Sequence, residues 1–157
     1  MPDLHVVLVE PEIHWNTGNA GRTCLAVSAQ LHLVEPLGFS LGEPEVRRAG
    51  LDYWPRVAPR VWPDWAALER ALPELGAPFF FTAGAPRNFQ DVPSYPRPAV
   101  LIFGRESVGL SREILDRHHA DTVSIPMLDP ALRSLNLSTS VAVAAYEVRR
   151  RWGWDSG

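Results

Sequence analysis

The chain has 157 residues, of which 46% are hydrophobic and 21% charged, as expected of one globular domain that buries a core. Its formal net charge of −3 argues against a protein that coats nucleic acid by bulk electrostatic attraction, so any RNA binding requires a local patch. A lone Cys24 excludes a disulfide framework, no apolar run is long enough to span a membrane, and the first residues lack a basic signal-peptide start, so we expect a cytoplasmic protein.

The first half of the chain predicts strands that alternate with helices. Leu4–Val9 is continuously apolar, as in a buried strand, and a helix is predicted from about Gly18 to Gln30, after the cap-type residues Asn16 and Thr17. Further strands are predicted at 31–34, 57–62 and 79–82, a short helix at 45–49, and an amphipathic helix from Asp64 to about residue 72. This alternation is typical of an α/β fold with a parallel sheet flanked by helices.

Two apolar runs in the second half each end in a loop rich in Gly, Ser, Asn and Arg. Val100–Phe103 leads into GRESVG, and Val123–Ile125 leads through Pro126 and Met127 into RSLNLS, after which a helix is predicted over Leu137–Arg151. Ligands of open α/β sheets bind beyond the carboxyl ends of the strands. Two such loops on neighbouring strands are therefore expected to face one crevice.

Polar residues that follow three predicted strands form a candidate site in this crevice. The set comprises Asn16, Arg22, Glu106, Ser134, Asn136 and Ser138. One cation, one carboxylate and several neutral hydrogen-bonding groups suit the binding of a nucleoside-like molecule and the activation of a hydroxyl, with no metal required. Each residue alone has a structural explanation, such as helix capping by Asn16. Their common location in three loops that follow strands favours a functional site. Arg22 is expected to project from the first helix into the same region.

Several familiar motifs are incomplete. GRESVGLS has the spacing of a P-loop, but Leu110 stands where that motif needs Lys, which argues against a nucleoside triphosphatase. GNAG is too short for a dinucleotide fingerprint, although Glu35 keeps a weak nucleotide-dependent oxidoreductase alternative open. The five His have no i, i+4 pair for a metal, and no GxSxG elbow supports acyl hydrolysis.

Three segments of the chain resemble a known family. NTGNAGRTC, LIFGRESVGLS and IPMLDPALRSLNLSTSVAVAAYE are similar, in order and spacing, to the three motifs of the SpoU-type SPOUT RNA 2′-O-methyltransferases. EPLGFSLGEPEVRRAGLDYW further resembles the subgroup that methylates the wobble nucleotide of tRNA, position 34, on cytidine or uridine. The resemblance covers residues 1–157 and implies a single domain without a separate RNA-binding extension.

This resemblance implies a fold and a set of partners that spacing alone does not. The C-terminal segment is expected to thread into a deep trefoil knot that binds S-adenosyl-L-methionine. By the motif match, the cofactor contacts are Thr82, Gly104, Ile125, Met127, Ser134 and Leu135. The family works as a homodimer with the first and last helices at the interface, and the expected RNA partner is the tRNA anticodon stem-loop.

The resemblance also implies roles for the polar set. Arg22 matches the arginine proposed to help deprotonate the ribose 2′-hydroxyl, while Asn16, Glu106, Ser134 and Asn136 match positions that orient this arginine and the ribose. Arg105 stands where relatives often have Pro. Two alternatives remain open beside the oxidoreductase. The chain could methylate another tRNA or ribosomal RNA site, or it could be a noncatalytic RNA-binding module.

Overall fold

A six-stranded sheet forms the centre of the molecule in a computed structural model that describes residues 2–42, 44 and 53–155. The strands are β1 Leu4–Val9, β2 Ala29–Val34, β3 Arg60–Trp62, β4 Ala77–Phe81, β5 Ala99–Phe103 and β6 Thr122–Val123. The α-helices in these ranges are α1 His14–Val27, α2 Trp54–Val57, α3 Trp65–Leu75, α4 Arg112–Arg117 and α5 Leu137–Trp152. Short 3-10 helices lie at Phe89–Asp91 and His119–Asp121.

The sheet is parallel throughout, with the strand order β3-β2-β1-β5-β4-β6. This confirms the predicted α/β architecture. The chain leaves β1 towards β2 on one side, and it leaves β5 towards β6 on the other side. The boundary between β1 and β5 is therefore a topological switch point, where the following loops diverge and open a crevice. The loops after β1 and β5 are thus placed to line a site.

Helices cover both faces of the sheet, which explains why the central strands are apolar at nearly every position. On one face α1 and α5 pack directly on each other and on the strands, and small residues such as Ala20, Ala144 and Ala145 permit their close approach. On the other face α3 and α4 bury a second cluster that includes Leu68, Leu72, Val100, Ile102 and Ile114.

Several element boundaries differ from the predictions. Helix α1 begins at His14 instead of Gly18 and ends at Val27, because Ser28 adopts a left-handed conformation (φ 58°) and the next residues already belong to β2. The third strand covers only Arg60–Trp62, since residues 54–57 form α2. Helix α4 was not predicted. The predicted helix at 45–49 lies outside the described residues.

Helix α5 covers Leu137–Trp152, close to the predicted Leu137–Arg151. Its last turn carries an arginine cluster that is committed to contacts inside the subunit. The buried Arg149 donates from Nε to the carbonyl of Val27 (2.7 Å) and so satisfies the end of α1, and Arg151 donates to the carbonyls of Val92 and Gln90. No helix in the described part of the chain combines the length and apolar character that crossing a bilayer requires.

A candidate active site at the carboxyl edge of the sheet

A cavity of about 590 Å³ opens at the carboxyl ends of β4, β5 and β6. This volume lies within the range of small-molecule sites. Its walls come from the ends of β4 and β5, the loop after β5, the segment after β6 and the first turns of α1 and α5. All six residues expected to contact the cofactor line it, namely Thr82, Gly104, Ile125, Met127, Ser134 and Leu135. The loops of the three motifs therefore converge on one cavity.

A chain of hydrogen bonds joins the three motifs at one side of this cavity. Oε2 of Glu106 accepts from Nδ2 of Asn16 (3.0 Å), and Oδ1 of Asn16 accepts from Nδ2 of Asn136 (3.0 Å). Oδ1 of Asn136 accepts in turn from the hydroxyl of Ser138 (2.7 Å). The asparagines are 120 residues apart in sequence, so folding alone brings them together. Each side-chain amide uses a donor and an acceptor in this chain, which fixes its orientation.

Two members of the chain, Asn136 and Glu106, also support helix ends. Asn136 is the N-cap of α5 and accepts from the N–H of Thr139 (3.2 Å). Glu106 caps α1 from another part of the sequence, because its carboxylate accepts from the N–H groups of Glu12 (2.8 Å) and Ile13 (2.9 Å). The structural and the functional explanations of these residues are therefore compatible. Since both oxygens of Glu106 are occupied, this side chain is suited to positioning rather than to proton abstraction.

Gly104 allows the loop after β5 to fold back on itself. A Cβ at Gly104 would lie 2.1 Å from the backbone of Gly109 and Leu110, a distance that no side chain permits. Gly109 has a left-handed φ of 71°, and its N–H donates to the carbonyl of Arg105 (2.8 Å). The tight turn leaves the end of β5 exposed to the cavity. Arg105 faces Glu10 at 4.0 Å, and both side chains are partly solvated, so this ion pair contributes little.

Arg22 is not placed as expected. The prediction that it projects into the same region as Asn16 is wrong within one subunit. Six residues of helix separate them, which corresponds to about 9 Å along the axis and about 240° around it. The guanidinium of Arg22 instead lies 5.4 Å from the centroid of the Tyr53 ring, in a shallow depression that Leu25 and Arg56 also line. The predicted helix began at Gly18 and left Asn16 before it as a cap-type residue, whereas α1 begins at His14 and so fixes Asn16 and Arg22 on different sides of one helix.

A carboxylate beside the cavity, that of Glu12, was not among the predicted site residues. Oε1 of Glu12 accepts from the N–H of Ser107 (2.8 Å). Hydrogen bonds from the backbone and the side chain of Ser107 lower the pKa of the Glu12 carboxyl. The segment EPEI is typical of a strand end, and no local pattern indicates that Glu12 has a partner 95 residues away.

Other ionisable groups fit structural roles. Burial raises the pKa of the Cys24 thiol to about 12, in agreement with its interpretation as a small buried hydrophobe. Within residues 2–42, 44 and 53–155, no cluster of three or more His, Cys, Asp or Glu side chains is arranged to hold a metal ion.

Comparison with known proteins identifies relatives along most of the chain. The model of the SpoU rRNA Methylase family matches residues 3–146. A tRNA (cytidine(34)-2′-O)-methyltransferase of Burkholderia pseudomallei (strain 1106a) is 44% identical over 155 residues, which are 98% of this chain and 98% of the relative.

Solved structures share the fold. One described as "Structural insights into the 2-OH methylation of C/U34 on tRNA" is 45% identical, with a TM-score of 0.89 and coverage of 95% of both chains. An AdoMet-bound rRNA methyltransferase from Sinorhizobium meliloti is 24% identical, with a TM-score of 0.81, and the match covers 94% of this chain and 56% of the other.

Proposed function

The chain belongs to the SpoU rRNA Methylase family, and from that premise we propose that it transfers a methyl group from S-adenosyl-L-methionine to the ribose 2′-hydroxyl of nucleotide 34 in tRNA, a cytidine or uridine. The observation that carries this proposal is the hydrogen-bonded chain from Glu106 through Asn16 to Asn136, which joins all three motifs beside a cavity. The 44% identity to a tRNA (cytidine(34)-2′-O)-methyltransferase along nearly the whole chain supports nucleotide 34 of tRNA as the site of methylation.

The walls of the cavity fit S-adenosyl-L-methionine. The rings of Phe81 and Phe103 stack at a centroid distance of 4.7 Å and offer an apolar surface, while backbone groups near Gly104 and the hydroxyl of Ser134 offer polar contacts. Such a mixture suits a ligand with an adenine ring, a ribose and an amino-acid group. When bound, the cofactor supplies a methyl group on a cationic sulfur, and its transfer requires no metal.

The side chains of this protein then act mainly by positioning. Methyl transfer is an in-line displacement, so most of the acceleration comes from holding the attacking oxygen in line. Asn16 and Asn136 are held by their mutual hydrogen bond and by Glu106, and they provide a rigid edge for the ribose. Arg22 is the remaining candidate for assisting loss of the 2′-hydroxyl proton. A free guanidinium has a pKa above about 12, so this assistance requires the nearby RNA phosphate or an unusual environment.

Because Arg22 does not reach the cavity of its own subunit, we propose that it serves the cavity of a second subunit in a homodimer. Arg22 is exposed on the outer side of α1. Large hydrophobic side chains are exposed on the two helices that the resemblance places at the interface, with Trp15 on α1 50% exposed and Val143 and Tyr146 on α5 37% and 47% exposed. A twofold interface repeats such a surface on both partners.

The remaining parts of the proposal follow the family resemblance. The C-terminal segment would form a trefoil knot beneath the cavity, to which residues 125–137 contribute several wall positions. The chain would act as a single domain in the cytoplasm, with the anticodon stem-loop of tRNA as its RNA partner.

Methyl transfer to tRNA that lacks the modification tests the proposed reaction. We expect label from the methyl donor on the 2′-oxygen of nucleotide 34, located by mass spectrometry of nuclease fragments. Label on a base, at another tRNA ribose or only on ribosomal RNA would refute the substrate assignment. Binding of RNA without any transfer would favour the noncatalytic alternative.

Mixed dimers test the role of Arg22. Arg22→Ala and Asn136→Asp subunits are each expected to be inactive alone, with cofactor binding nearly intact in Arg22→Ala. A mixed dimer pairs one intact cavity with one intact Arg22 from the other subunit, so activity should return to about half per mixed dimer if Arg22 acts across the interface. No recovery in mixed dimers that are shown to form would place Arg22 outside this role.

A further inference from the structure

The loop after β1 takes an unusual course towards the loop after β5. Glu10, the first residue beyond β1, has a left-handed φ of 54°, and its N–H donates to the carbonyl of Val34 (2.9 Å) at the end of β2. A non-glycine residue in this conformation carries a conformational cost that the surrounding contacts must offset. The turn directs Pro11, Glu12 and Ile13 across the switch point of the sheet, towards Glu106.

Two glutamates hold these loops together in a reciprocal arrangement. The N–H of Glu12 donates to Oε1 of Glu106 (2.8 Å), and the N–H of Ser107 donates to Oε1 of Glu12 (2.8 Å). Each loop thus contributes one backbone donor and one carboxylate acceptor. We name this pair of hydrogen bonds the glutamate clasp. Hydrogen bonds from backbone N–H groups to a carboxylate are charge-assisted and strongly directional.

The loop after β2 closes on Glu12 from the other side. The N–H of Gly38 donates to the carbonyl of Pro11 (2.9 Å). A Cβ at Gly38 would lie 2.6 Å from the carbonyl oxygen of Glu12, so only glycine permits this approach. The backbone of Glu12 is therefore held between two loops, and its side chain has a defined starting point for reaching Ser107.

The clasp acts on the wall of the cavity. Glu106 and Ser107 both line the cavity, whereas Glu12 does not. The same Glu106 carboxylate accepts from the amide of Asn16. A displacement of the loop after β5 would therefore also displace Asn16. We propose that Glu12 is a positioning residue for methyl transfer, which sets the location of Glu106 and Ser107 through the clasp. This inference rests on the proposed function.

Two substitutions at Glu12 separate positioning from general stability. Glu12→Ala removes the acceptor for Ser107, whereas Glu12→Gln retains a carbonyl oxygen at the same place. Glu74→Ala is the matched control, since it removes an exposed carboxylate from α3 that does not line the cavity. Three quantities are compared: exchange of the Ser107 amide hydrogen by NMR, the Kd for S-adenosyl-L-methionine by calorimetry, and single-turnover methyl transfer.

The hydrogen bond from Ser107 to Glu12 is exposed to solvent, so its loss is expected to change an equilibrium by roughly three- to tenfold, the range of an ordinary hydrogen bond. We therefore expect Glu12→Ala to accelerate exchange of the Ser107 amide and to weaken cofactor binding by about that factor, with a further loss in the single-turnover rate because Asn16 is displaced. Glu12→Gln should recover most of both quantities, and Glu74→Ala should match the wild type.

The outcomes separate the two proposals. Wild-type protein that neither binds the cofactor nor transfers methyl refutes the proposed function, and the Ser107 exchange still reports whether the clasp positions this loop. Active wild-type protein with Glu12→Ala at full affinity and rate refutes the inference. Equal losses in Glu12→Ala and Glu12→Gln refute it as well, because the retained acceptor would then have no effect.

Discussion

Two hydrogen-bonded networks of side chains join distant segments of this protein, and they differ in what surrounds them. The first links Glu106, Asn16 and Asn136 at the carboxyl edge of the sheet and borders an open cavity. The second links Trp62, His32 and His5 across β3, β2 and β1. His32 is fully buried, His5 is 5% exposed and Trp62 is half-buried, so the two histidines of the second network are closed to solvent.

The closed network has a defined proton arrangement. Nε1 of Trp62 can only donate, and it lies 3.1 Å from Nδ1 of His32, which must therefore accept. The neutral ring of His32 then carries its proton on Nε2, 2.9 Å from Nδ1 of His5. Burial lowers the pKa of both histidines, that of His32 to about 3, so both stay neutral at physiological pH. The hydrogen-bonding groups of these three side chains are paired with one another, so few of them remain to bind a ligand.

The difference shows how a polar network can be assigned to function or to stability. Both networks consist of good hydrogen bonds between residues far apart in sequence, and neither is distinguished by bond length. Only the first faces a volume that a ligand can enter, and only its members come from the three matched motifs. We therefore expect a change in the open network to affect turnover and a change in the closed network to affect folding.

The largest expected effect is that of Asn136→Asp in the open network. Aspartate keeps an oxygen for capping α5 but cannot donate to Asn16, so the two loops lose their connection. We expect turnover to fall by roughly 100-fold, as small displacements of reacting groups do, while the free energy of unfolding changes by less than about 1 kcal/mol. Methyl transfer and urea denaturation measure the two quantities. A loss of stability large enough to account for the inactivity would remove the contrast.

An intermediate effect is expected for His32→Leu in the closed network. Trp62 and His5 both lose a buried partner, so the free energy of unfolding should fall by about 1–3 kcal/mol. Turnover should stay near wild type at temperatures where the variant is folded. His119→Leu, at an exposed histidine, is the matched control and should change neither quantity. A selective loss of turnover in His32→Leu would show that the closed network reaches the site.

The smallest effect is expected from acidification. The pKa of His32 is about 3 in the folded protein, whereas an unfolded histidine has a pKa of about 6.5. As the pH is lowered, the unfolded state therefore takes up a proton at a higher pH than the folded state does. The contribution of His32 to the free energy of unfolding is therefore fully present above pH 6.5 and is lost as the pH is lowered towards 3, and between pH 7 and 5.5 this loss is about 1 kcal/mol. Urea denaturation between pH 7 and 5.5 measures the slope, which should be shallower in His32→Leu. Equal slopes would contradict the assignment.

Much of the site could be predicted because the relevant residues follow strands. Glu106 comes directly after β5, and Asn136 lies in the loop that leads from β6 into α5, so the parallel sheet brings both to one edge. Arg22 was misplaced because Asn16 belongs to the same helix, α1, and six residues of helix direct the two side chains to different sides. The early start of α1 depends on Glu106, which caps it from 90 or more residues away, and no local pattern reveals such a partner.

The sequence by itself determined the alternation of strands and helices, the parallel sheet, and the convergence of three polar loops, because apolar periodicity and the succession of elements along the chain are local properties. Only the tertiary structure decided which polar groups touch. The glutamate clasp, the connection of Asn16 to Asn136 and the commitment of Arg149 to the end of α1 all depend on distances of a few ångströms between segments about 90 to 120 residues apart. The position of Arg22 likewise depends on its contact with Tyr53 in another segment. Hydrogen bonds have this short range, whereas the hydrophobic pattern that selects the fold does not depend on it.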